Sequence, residues 1–228
     1  MAQTTSRIRR LVADPYAPGS FAARSRLRRW ELLRSRFPDF AEMSVVDLGG
    51  DSRHWVAAPV RPRRLVLLNP ETWALDSDLA DGAETVRGDA CDPPAELVDE
   101  GFDLVYSNSV IEHLEGPWRR RAFADSVRRL APRHWIQTPY RYFPIEPHWL
   151  FPGLQFLPLA ARAFVDRVWP LHASRVLDPS ADPQRLAVSH VLAVELLSKT
   201  EMRHLFPESD LIEERVAGLT KSLVAVRG

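Results

Sequence analysis

An aspartate and two closely following glycines stand at the end of a short β-branched run in residues 44–54. Asp47 ends the run, and Gly49 and Gly50 follow it after a single leucine. Glycine has no Cβ, so the backbone at these two positions can turn sharply and approach a bound molecule closely. A carboxylate beside such a turn can hold a cationic or hydroxyl-bearing part of that molecule. The stretch therefore predicts a buried parallel strand that leads into a ligand-binding turn.

Polar residues also end the other strands that the sequence predicts. Short apolar runs at 64–68, 84–87, 102–106 and 134–137 alternate with helical patterns, which indicates βαβ units and a parallel sheet. In such sheets, ligands bind outside the carboxyl ends of the strands. The polar residues at those ends are Asp47, Asn69, Asp89 and Asn108. We expect these side chains to share one site.

The first forty residues are predicted to form a helical extension of a single domain that spans 1–228. Ser20 is a suitable N-cap for a helix over residues 21–36, whose apolar positions follow helical spacing. Arginines separate those apolar positions. We interpret them as a solvated helix face with stems lying over apolar surface, in preference to an anion site.

Residues 138–182 break the alternation and are rich in proline and aromatic residues. A segment of this length without strand rhythm predicts a cap inserted after the fifth strand, above the ligand end of the sheet, where a lid excludes water. The alternative is a decoration that packs on itself or on a second subunit, as in a homodimer. Residues 211–216 and 220–226 then predict a closing antiparallel hairpin.

The bulk composition excludes several classes of protein. The formal net charge is zero, so no nucleic-acid partner and no anionic membrane surface is expected. A single cysteine, Cys91, excludes a disulfide framework and a cysteine-based metal cluster. The N-terminus lacks the apolar core of a secretory signal, and charges and prolines interrupt the most apolar stretch, 149–171. We therefore expect a cytoplasmic protein with a small-molecule partner and no transmembrane segment.

A longer motif identifies a family resemblance. Residues 102–114 are FDLVYSNSVIEHL, and this stretch resembles the motif after the fourth strand of class I S-adenosylmethionine-dependent methyltransferases. The sequences VVDLGG and RGDA resemble the family at the first and third strands, so the resemblance covers residues 40–140 closely. It implies an α/β fold, a Rossmann-like three-layer sandwich. Its sheet would have seven strands, mostly parallel, with an antiparallel last strand that the closing hairpin fits.

The resemblance also implies how S-adenosylmethionine would be held, with S-adenosylhomocysteine as the product. Two departures from the family pattern stand out. Asp51 replaces the second glycine of the first loop, so either the turn is less tight or Asp51 itself binds the amino group. Asn69 replaces an acid that holds the ribose, with Glu71 as a substitute. The implied contacts are Asp47, Gly49 and Gly50 on the methionine part, Asn69 on the ribose, Asp89 and Ala90 on the adenine, and Asn108 and Ser109 near the sulfonium.

Transfer of the methyl group to a hydroxyl needs a base within hydrogen-bond reach, and histidine has a suitable pKa. Among seven histidines, His148 is predicted to be the general base, because it follows the fifth strand and Glu146 can orient its ring. His113, just after the fourth strand, is a second candidate for contact with the cofactor or acceptor, or else makes a structural hydrogen bond. His54 is predicted to lie exposed at a helix start. No metal is implied, because Glu112 and His113 are adjacent and no His-x-x-x-His pair is present.

The acceptor is predicted from the segment after the fifth strand. Aromatic residues between charged ones suit stacking on a sugar face, and the predicted acceptor contacts are Tyr140, Arg141, Tyr142 and Trp149. The chain resembles small bacterial O-methyltransferases of saccharide and natural-product pathways, among them the sugar 1-O-methyltransferase of methylmannose polysaccharide synthesis. Two alternatives stay open. One is methylation of a quinone, polyketide or other ring natural product, and the other is a non-catalytic partner protein that binds the cofactor.

Overall fold

The computed structural model of the chain describes residues 9–14, 16–71, 82–171 and 182–228. Its helices are α1 (Phe21–Arg36), α2 (Ser52–Val56), α3 (Ala95–Glu100), α4 (Gly116–Leu130), α5 (Leu159–Val168), α6 (Pro183–Leu192) and α7 (Lys199–Leu205). Its strands are β1 (Ser44–Leu48), β2 (Arg64–Asn69), β3 (Glu84–Arg87), β4 (Leu104–Asn108), β5 (Arg133–Pro139), β6 (Ile145–Glu146), β7 (Phe151–Pro152), β8 (Asp210–Val216) and β9 (Leu219–Arg227). A short 3-10 turn, Ile111–His113, follows β4.

Seven strands form one sheet in the order β3-β2-β1-β4-β5-β9-β8. Strands β1 to β5 pair in parallel, whereas β9 runs antiparallel to both β5 and β8. The predicted Rossmann-like sheet with an antiparallel last strand is thereby confirmed. The chain order reverses between β1 and β4, and this switch point opens a crevice at the carboxyl ends of the strands.

Alternate residues of the central strands point to opposite faces of the sheet, and each face has its own core. Val46 and Val105 pack with α4 and α7 in one cluster. Val45 and Leu104 pack with α1 and with the loop that follows it in the other. Because both faces are covered, the strands read as nearly continuous apolar runs in the sequence. The sheet is therefore the middle layer of three.

Helix α1 has the predicted bounds and the predicted cap. The Ser20 hydroxyl accepts a hydrogen bond of 2.9 Å from the backbone N–H of Ala23. Trp30 and Leu33 on this helix are buried against the sheet. On its other side, the Arg29 guanidinium forms two hydrogen bonds of 2.8 and 2.9 Å with the Glu214 carboxylate on β8. Helix α1 is therefore fixed to the sheet from both sides.

The segment after β5 has a small core of its own. Trp149, Leu154 and Ala163 pack there with Ala187 and Val191 of α6. The cap thus extends past the predicted boundary at residue 182 and includes α6. Residues 172–181 of the predicted cap and residues 1–8 of the predicted extension lie outside the described residues. Within the described ranges, no helix combines the length and apolarity needed to cross a bilayer.

The tight packing after β1 can be tested with matched glycine variants. Gly49 and Gly218, in the turn between β8 and β9, both have positive φ values, +77° and +82°, but a Cβ at Gly49 would lie 2.5 Å from Val110, whereas one at Gly218 meets nothing within 4 Å. We expect Gly49→Ala to lower the free energy of unfolding by about 3 kcal/mol, because backbone strain adds to overpacking. Gly218→Ala should lower it by the backbone strain alone, about 1–2 kcal/mol.

Equilibrium urea unfolding measures both losses. A second substitution, Val110→Ala, should reduce the cost of Gly49→Ala, since it removes the methyl groups that the new Cβ would meet. Equal losses for Gly49→Ala and Gly218→Ala would show that the Val110 contact is unimportant.

Candidate active site

The loop after β1 has no room for side chains. The N–H of Gly49 donates a hydrogen bond of 2.8 Å to the carbonyl of Leu68 at the end of β2. A Cβ on Gly49 would lie 2.5 Å from a methyl carbon of Val110, and one on Gly50 would lie 2.7 Å from Oδ2 of Asp47. The two glycines therefore let the backbone pass between Val110 and Asp47 at the floor of the crevice.

Asp47 is a buried carboxylate beside this loop. Its side chain is part of a residue only 3% exposed, and Oδ2 accepts a hydrogen bond of 2.8 Å from Nε1 of Trp55. Burial raises the pKa of Asp47 to about 7, although the Trp55 hydrogen bond favours the charged form. Among the described residues, no Lys, Arg or His forms an ion pair with it. A cationic group that entered the crevice would stabilise the carboxylate.

Asp51 stands where the family pattern has glycine, and the backbone conformation explains why it is tolerated. Its φ and ψ are −115° and 125°, an extended conformation open to any residue. The carboxylate caps α2 by accepting a hydrogen bond of 2.9 Å from the N–H of Arg53, and it also pairs with the Arg53 guanidinium at 3.1 Å. Asp51 therefore starts helix α2, and its carboxylate already has partners within the chain.

The ends of β2 and β3 carry Asn69 and Asp89, both of which hold neighbouring loops. Asn69 donates from Nδ2 to the carbonyl of Gly50 at 2.9 Å and accepts at Oδ1 from the N–H of Glu71 at 2.9 Å. Asp89 accepts two hydrogen bonds of 2.8 Å from Arg119 of α4. Ala90 is buried, and the side chain of Glu71 is exposed. The predicted strand-end residues do lie along one edge of the sheet.

A cavity of about 360 Å³ lies at the ends of β4 and β5, between α1 and the cap. Asn108 and Ser109 contribute to its wall, and Ser109 has a φ of +58° while its hydroxyl donates to Oε1 of Gln137 at 3.0 Å. Oδ1 of Asn108 accepts a hydrogen bond of 2.6 Å from Arg29. The complete lining is Arg9, Ala13, Ala22, Ser25, Arg26, Arg29, Asn108, Ser109, Gln137, Pro139, Phe143, Pro147, His148, Lys221 and Ser222.

None of the four predicted acceptor contacts belongs to that lining. Trp149 is buried in the core of the cap, where Nε1 donates to Oδ1 of Asp166 at 2.8 Å. Tyr142 is 58% exposed and stacks on Phe156. Tyr140 lies below the Lys199 ammonium, and Arg141 faces a different cavity beside α6. Of these three rings, that of Trp149 alone belongs to the core of the cap.

His148 does line the cavity, and Glu146 holds it there. Oε1 of Glu146 lies 2.8 Å from Nδ1 of His148, so the predicted contact between the carboxylate and the ring is present. Oε2 of the same carboxylate accepts hydrogen bonds from the N–H groups of His148 and Trp149 at 2.7 and 2.9 Å. Burial disfavours the charged ring, but the hydrogen bond and charge of Glu146 prevail and raise the pKa of His148 above its ordinary value.

His113 and Glu112 meet His148 at the edge of the cavity. The rings of His113 and His148 are perpendicular, with centroids 5.0 Å apart. Glu112 is buried, and its Oε2 accepts a hydrogen bond of 2.9 Å from the hydroxyl of Thr138 on β5. One potential ligand atom from each of the three residues lies within 4.8 Å of the other two. Sequence reasoning missed this cluster, because it weighed only the adjacent Glu112 and His113 for metal binding.

His54 is not at the surface, contrary to the sequence-based prediction. It is 6% exposed, its Nε2 lies 2.9 Å from the hydroxyl of Tyr106, and its ring stacks on Trp30. Burial, assisted by the charges of Arg26 and Arg29, lowers the pKa of His54 to about 3. The ring is therefore a neutral part of the aromatic core below the crevice, where the apolar residues around it in the sequence would place it.

Sequence reasoning also missed the basic residues of the cavity wall. Arg26 and Arg29 of α1 were assigned to a solvated face, and Lys221 of β9 was not considered. Helical spacing gave a weak signal for Arg29, because it adjoins the buried Trp30. Nothing in the local sequence places Lys221 near α1, since β9 reaches the crevice only through its pairing with β5.

Comparison with known proteins supports the fold. No protein-family model and no curated protein matches the sequence. Among solved structures, the N-methyltransferase NodS from Bradyrhizobium japonicum WM9 with S-adenosyl-l-homocysteine is similar, with 15% identity over 99% of this chain and 96% of that chain, at a TM-score of 0.53. An O-methyltransferase family protein from Burkholderia thailandensis is also similar, with 14% identity over 99% of this chain and 61% of that chain, at a TM-score of 0.52.

The magnesium protoporphyrin IX methyltransferase ChlM from Synechocystis PCC 6803, with bound S-adenosylhomocysteine, is 12% identical over 90% of this chain and 82% of that one, at a TM-score of 0.51. The three similar proteins are named for methyl transfer to different kinds of acceptor. At these identities the likeness concerns the fold alone. The chain has the class I S-adenosylmethionine-dependent methyltransferase fold that the sequence resemblance implied.

The unusual pKa of Asp47 predicts a pH-dependent stability. Its pKa of about 7 in the folded chain lies above the ordinary value of 3.8, so the folded state retains a proton that the unfolded state has lost between these values. From this group alone, stability is highest below about pH 4 and falls by up to about 1.4 kcal/mol per pH unit as pH rises to about 7. Above about pH 7, the contribution of Asp47 to stability no longer changes with pH.

Asp47→Asn removes the titration and keeps an acceptor for Trp55. The stability difference between the variant and the wild type, measured by urea unfolding at pH 5, 6, 7 and 8, should therefore grow in favour of the variant up to about pH 7. A difference that does not change with pH would contradict the assignment of a raised pKa to Asp47.

Proposed function

We propose that this protein is an S-adenosylmethionine-dependent O-methyltransferase that acts on a hydroxyl of a small polar acceptor, a saccharide. The proposal rests on one observation: the glycine loop after β1 lies next to the cavity at the ends of β4 and β5. Asn108 and Ser109 line the cavity at the ends of β4 and β5, and the next residue, Val110, packs against Gly49 in the loop after β1, so the glycine loop and the cavity are adjacent. His148, held by Glu146, faces that cavity.

The crevice residues fit the cofactor. Because Gly50 has no Cβ, its backbone packs directly against the Asp47 carboxylate and keeps that carboxylate beside the loop where the methionine part would lie. Asp47 offers a buried carboxylate that gains a partner if the cofactor's ammonium lies near it. Asp89 and Ala90 would meet the adenine, and Asn108 and Ser109 the region of the sulfonium. Because Asn69 and Asp51 already make internal hydrogen bonds, we give them a supporting role in shaping the crevice.

The chain's own contribution to the reaction is alignment and removal of a proton. When bound, the cofactor supplies a methyl group that its positive sulfur has already activated. The cavity walls orient the acceptor hydroxyl, and the cap excludes water from it. As the acceptor oxygen takes the methyl group, its hydroxyl proton would pass to Nε2 of His148. Glu146 fixes the ring by its contact with Nδ1 and stabilises the resulting positive charge.

The cavity lining favours a polar acceptor over an apolar ring. Ten of the fifteen described lining residues have side chains that can form hydrogen bonds, and Phe143 is the one Phe, Tyr or Trp among them, although apolar atoms contribute more of the exposed wall area. A sugar carries hydroxyls at most of its ring positions that can pair with such groups, whereas a quinone or polyketide ring offers fewer hydrogen-bonding groups over the same area. Methyl transfer to a saccharide is therefore proposed ahead of transfer to a ring natural product.

Cofactor binding is tested by calorimetry with S-adenosylhomocysteine. We expect a one-to-one complex, and we expect Asp47→Asn to weaken it at least tenfold, because the buried carboxylate would lose its charge interaction with the ligand's ammonium. Asp99→Asn, an exposed acid on α3, is the matched control and should bind as the wild type does. Absence of binding heat from the folded wild-type protein would refute the proposal.

Catalysis is tested by release of S-adenosylhomocysteine with a library of saccharides and phenols. On the saccharide that turns over, His148→Ala should reduce kcat by about 10²–10⁴-fold, the range for loss of a general base. Glu146→Gln should reduce it less, and His204→Ala, an exposed histidine on α7, should not change it. Cofactor affinity should be unchanged in all three.

Other outcomes of the library separate the alternatives. Turnover of phenols but of no saccharide would show that the acceptor is a ring natural product. Tight cofactor binding without turnover of any hydroxyl compound would identify a non-catalytic binding protein.

A further inference from the structure

Three residues that are separated in the sequence form a cluster with the chemistry of a metal site. Glu112 and His113 belong to the 3-10 turn after β4, whereas His148 belongs to the cap. One potential ligand atom from each residue lies within 4.8 Å of the other two. We propose that Glu112, His113 and His148 bind a divalent transition-metal ion at the edge of the acceptor cavity. This replaces the sequence-based expectation that no metal is bound.

The carboxylate of Glu112 supplies the first independent argument. The residue is 1% exposed, and Oε2 is satisfied by the hydroxyl of Thr138 at 2.9 Å. Oε1 is buried, and within the described part of the chain it has no hydrogen-bond partner. No ion pair to Glu112 is found there either. A buried carboxylate oxygen without a partner is costly. A cation bound between Glu112 and the two histidines would remove that cost.

The two histidines are oriented as metal ligands are. Nδ1 of His148 lies 2.8 Å from Oε1 of Glu146, and Nδ1 of His113 lies 3.2 Å from the carbonyl oxygen of Ala193. Both acceptors favour a proton on Nδ1, which leaves the lone pair of each ring on Nε2. Metal-binding histidines almost always donate their second N–H to a carboxylate or a backbone carbonyl in this way. The cluster therefore has outer partners as well as ligands.

The spacing requires only a small closure. Two ligand atoms at about 2.1 Å from one ion are at most about 4.2 Å apart, and the present atoms are within 4.8 Å. The exposed side chain of His113 has the freedom to move by the remaining distance. Two imidazoles and one carboxylate select Zn²⁺, Fe²⁺, Mn²⁺ or Co²⁺ over Mg²⁺ and Ca²⁺, which prefer oxygen ligands. Three protein ligands also leave coordination positions open.

Of the three residues, His148 lines the cavity, so a bound ion would be accessible from the cavity on the His148 side. An acceptor hydroxyl that binds the ion from this side would lose its proton to water more easily, since a bound cation lowers the pKa of a coordinated oxygen. The C–O bond then forms as the S–C bond breaks, and the sulfur keeps the electron pair. This inference rests on the proposed methyl transfer and changes only its proton-removal step. In the metal-free protein, His148 keeps the role of general base.

Metal binding is measured directly on the full chain after treatment with a chelator. Titration with ZnCl₂, followed by calorimetry and by elemental analysis after gel filtration, should give one ion per chain. Co²⁺ should give a visible absorption band of a site with nitrogen ligands. At a concentration 100-fold above the dissociation constant, Zn²⁺ should raise Tm by about 5–10 °C.

Matched variants locate the ion. Glu112→Gln keeps the size of the side chain and an acceptor for Thr138, and His113→Ala removes a partly solvated ring; each should weaken Zn²⁺ binding more than tenfold. Glu146→Gln, which alters an outer partner, should weaken it 10–100-fold. The control His204→Ala should bind as the wild type does. Circular dichroism and the Tm of the metal-free protein report whether each variant is folded.

The outcomes are decisive in both directions. A folded wild-type protein that binds no ion, or that binds it equally well after Glu112→Gln and His113→Ala, would overturn the metal site. Turnover that is unaffected by the chelator would overturn its part in the reaction and leave His148 as the base. A protein that binds Zn²⁺ through the cluster but does not bind S-adenosylhomocysteine would instead refute the proposed function, while the metal site would stand.

Discussion

The backbone after β1 passes through a gap that admits no Cβ, and much of the site depends on this constraint. Gly49 packs against Val110, and Gly50 packs against the carboxylate of Asp47. Val110 immediately precedes the turn that carries Glu112 and His113, so the contact fixes that turn relative to the crevice floor. Asn69 adds a third attachment by donating to the carbonyl of Gly50. The cofactor crevice and the histidine cluster are therefore positioned by the same close packing.

Two buried carboxylates lie near this packing, and they are stabilised in different ways. Asp47 has a Trp55 hydrogen bond and a raised pKa, so a proton can neutralise it near physiological pH. Glu112 has Thr138 at one oxygen and nothing in the described structure at the other. Burial of a charge is costly unless a partner compensates for it, so such groups are typical of sites that bind a positive partner. The proposals assign an ammonium to the first and a metal ion to the second.

The cap supports the site through its own small core. Trp149 is held between apolar neighbours and Asp166, and the buried Glu146 accepts three hydrogen bonds from the turn that carries His148. The position of a side chain on a loop is better defined when the residues around it are fixed in this way. The aromatic residues of this segment thus contribute by packing, and the smaller groups beside them face the cavity.

Local patterns in the sequence determined most of the fold and half of the site. The period of the apolar residues predicted the order of strands and helix α1 with its Ser20 cap, because these depend on neighbouring residues. The polar strand ends predicted the edge of the sheet where four of these residues lie, because parallel strands all end at the same edge. They are Asp47, Asn69, Asp89 and Asn108. The contact between Glu146 and His148 was also predictable, since two residues of a proline-bounded turn are necessarily close.

Only the tertiary structure decided which distant segments meet. The burial of His54, the placement of Arg29 and Lys221 in the cavity wall, and the approach of His148 to Glu112 each depend on packing between elements far apart in the chain. Trp149 shows the same limit, because its ring could equally have served an acceptor or a core, and the space left by α5 and α6 determined which. Sequence spacing specifies the face of a helix or strand, whereas the partner of that face is set by how the faces pack together.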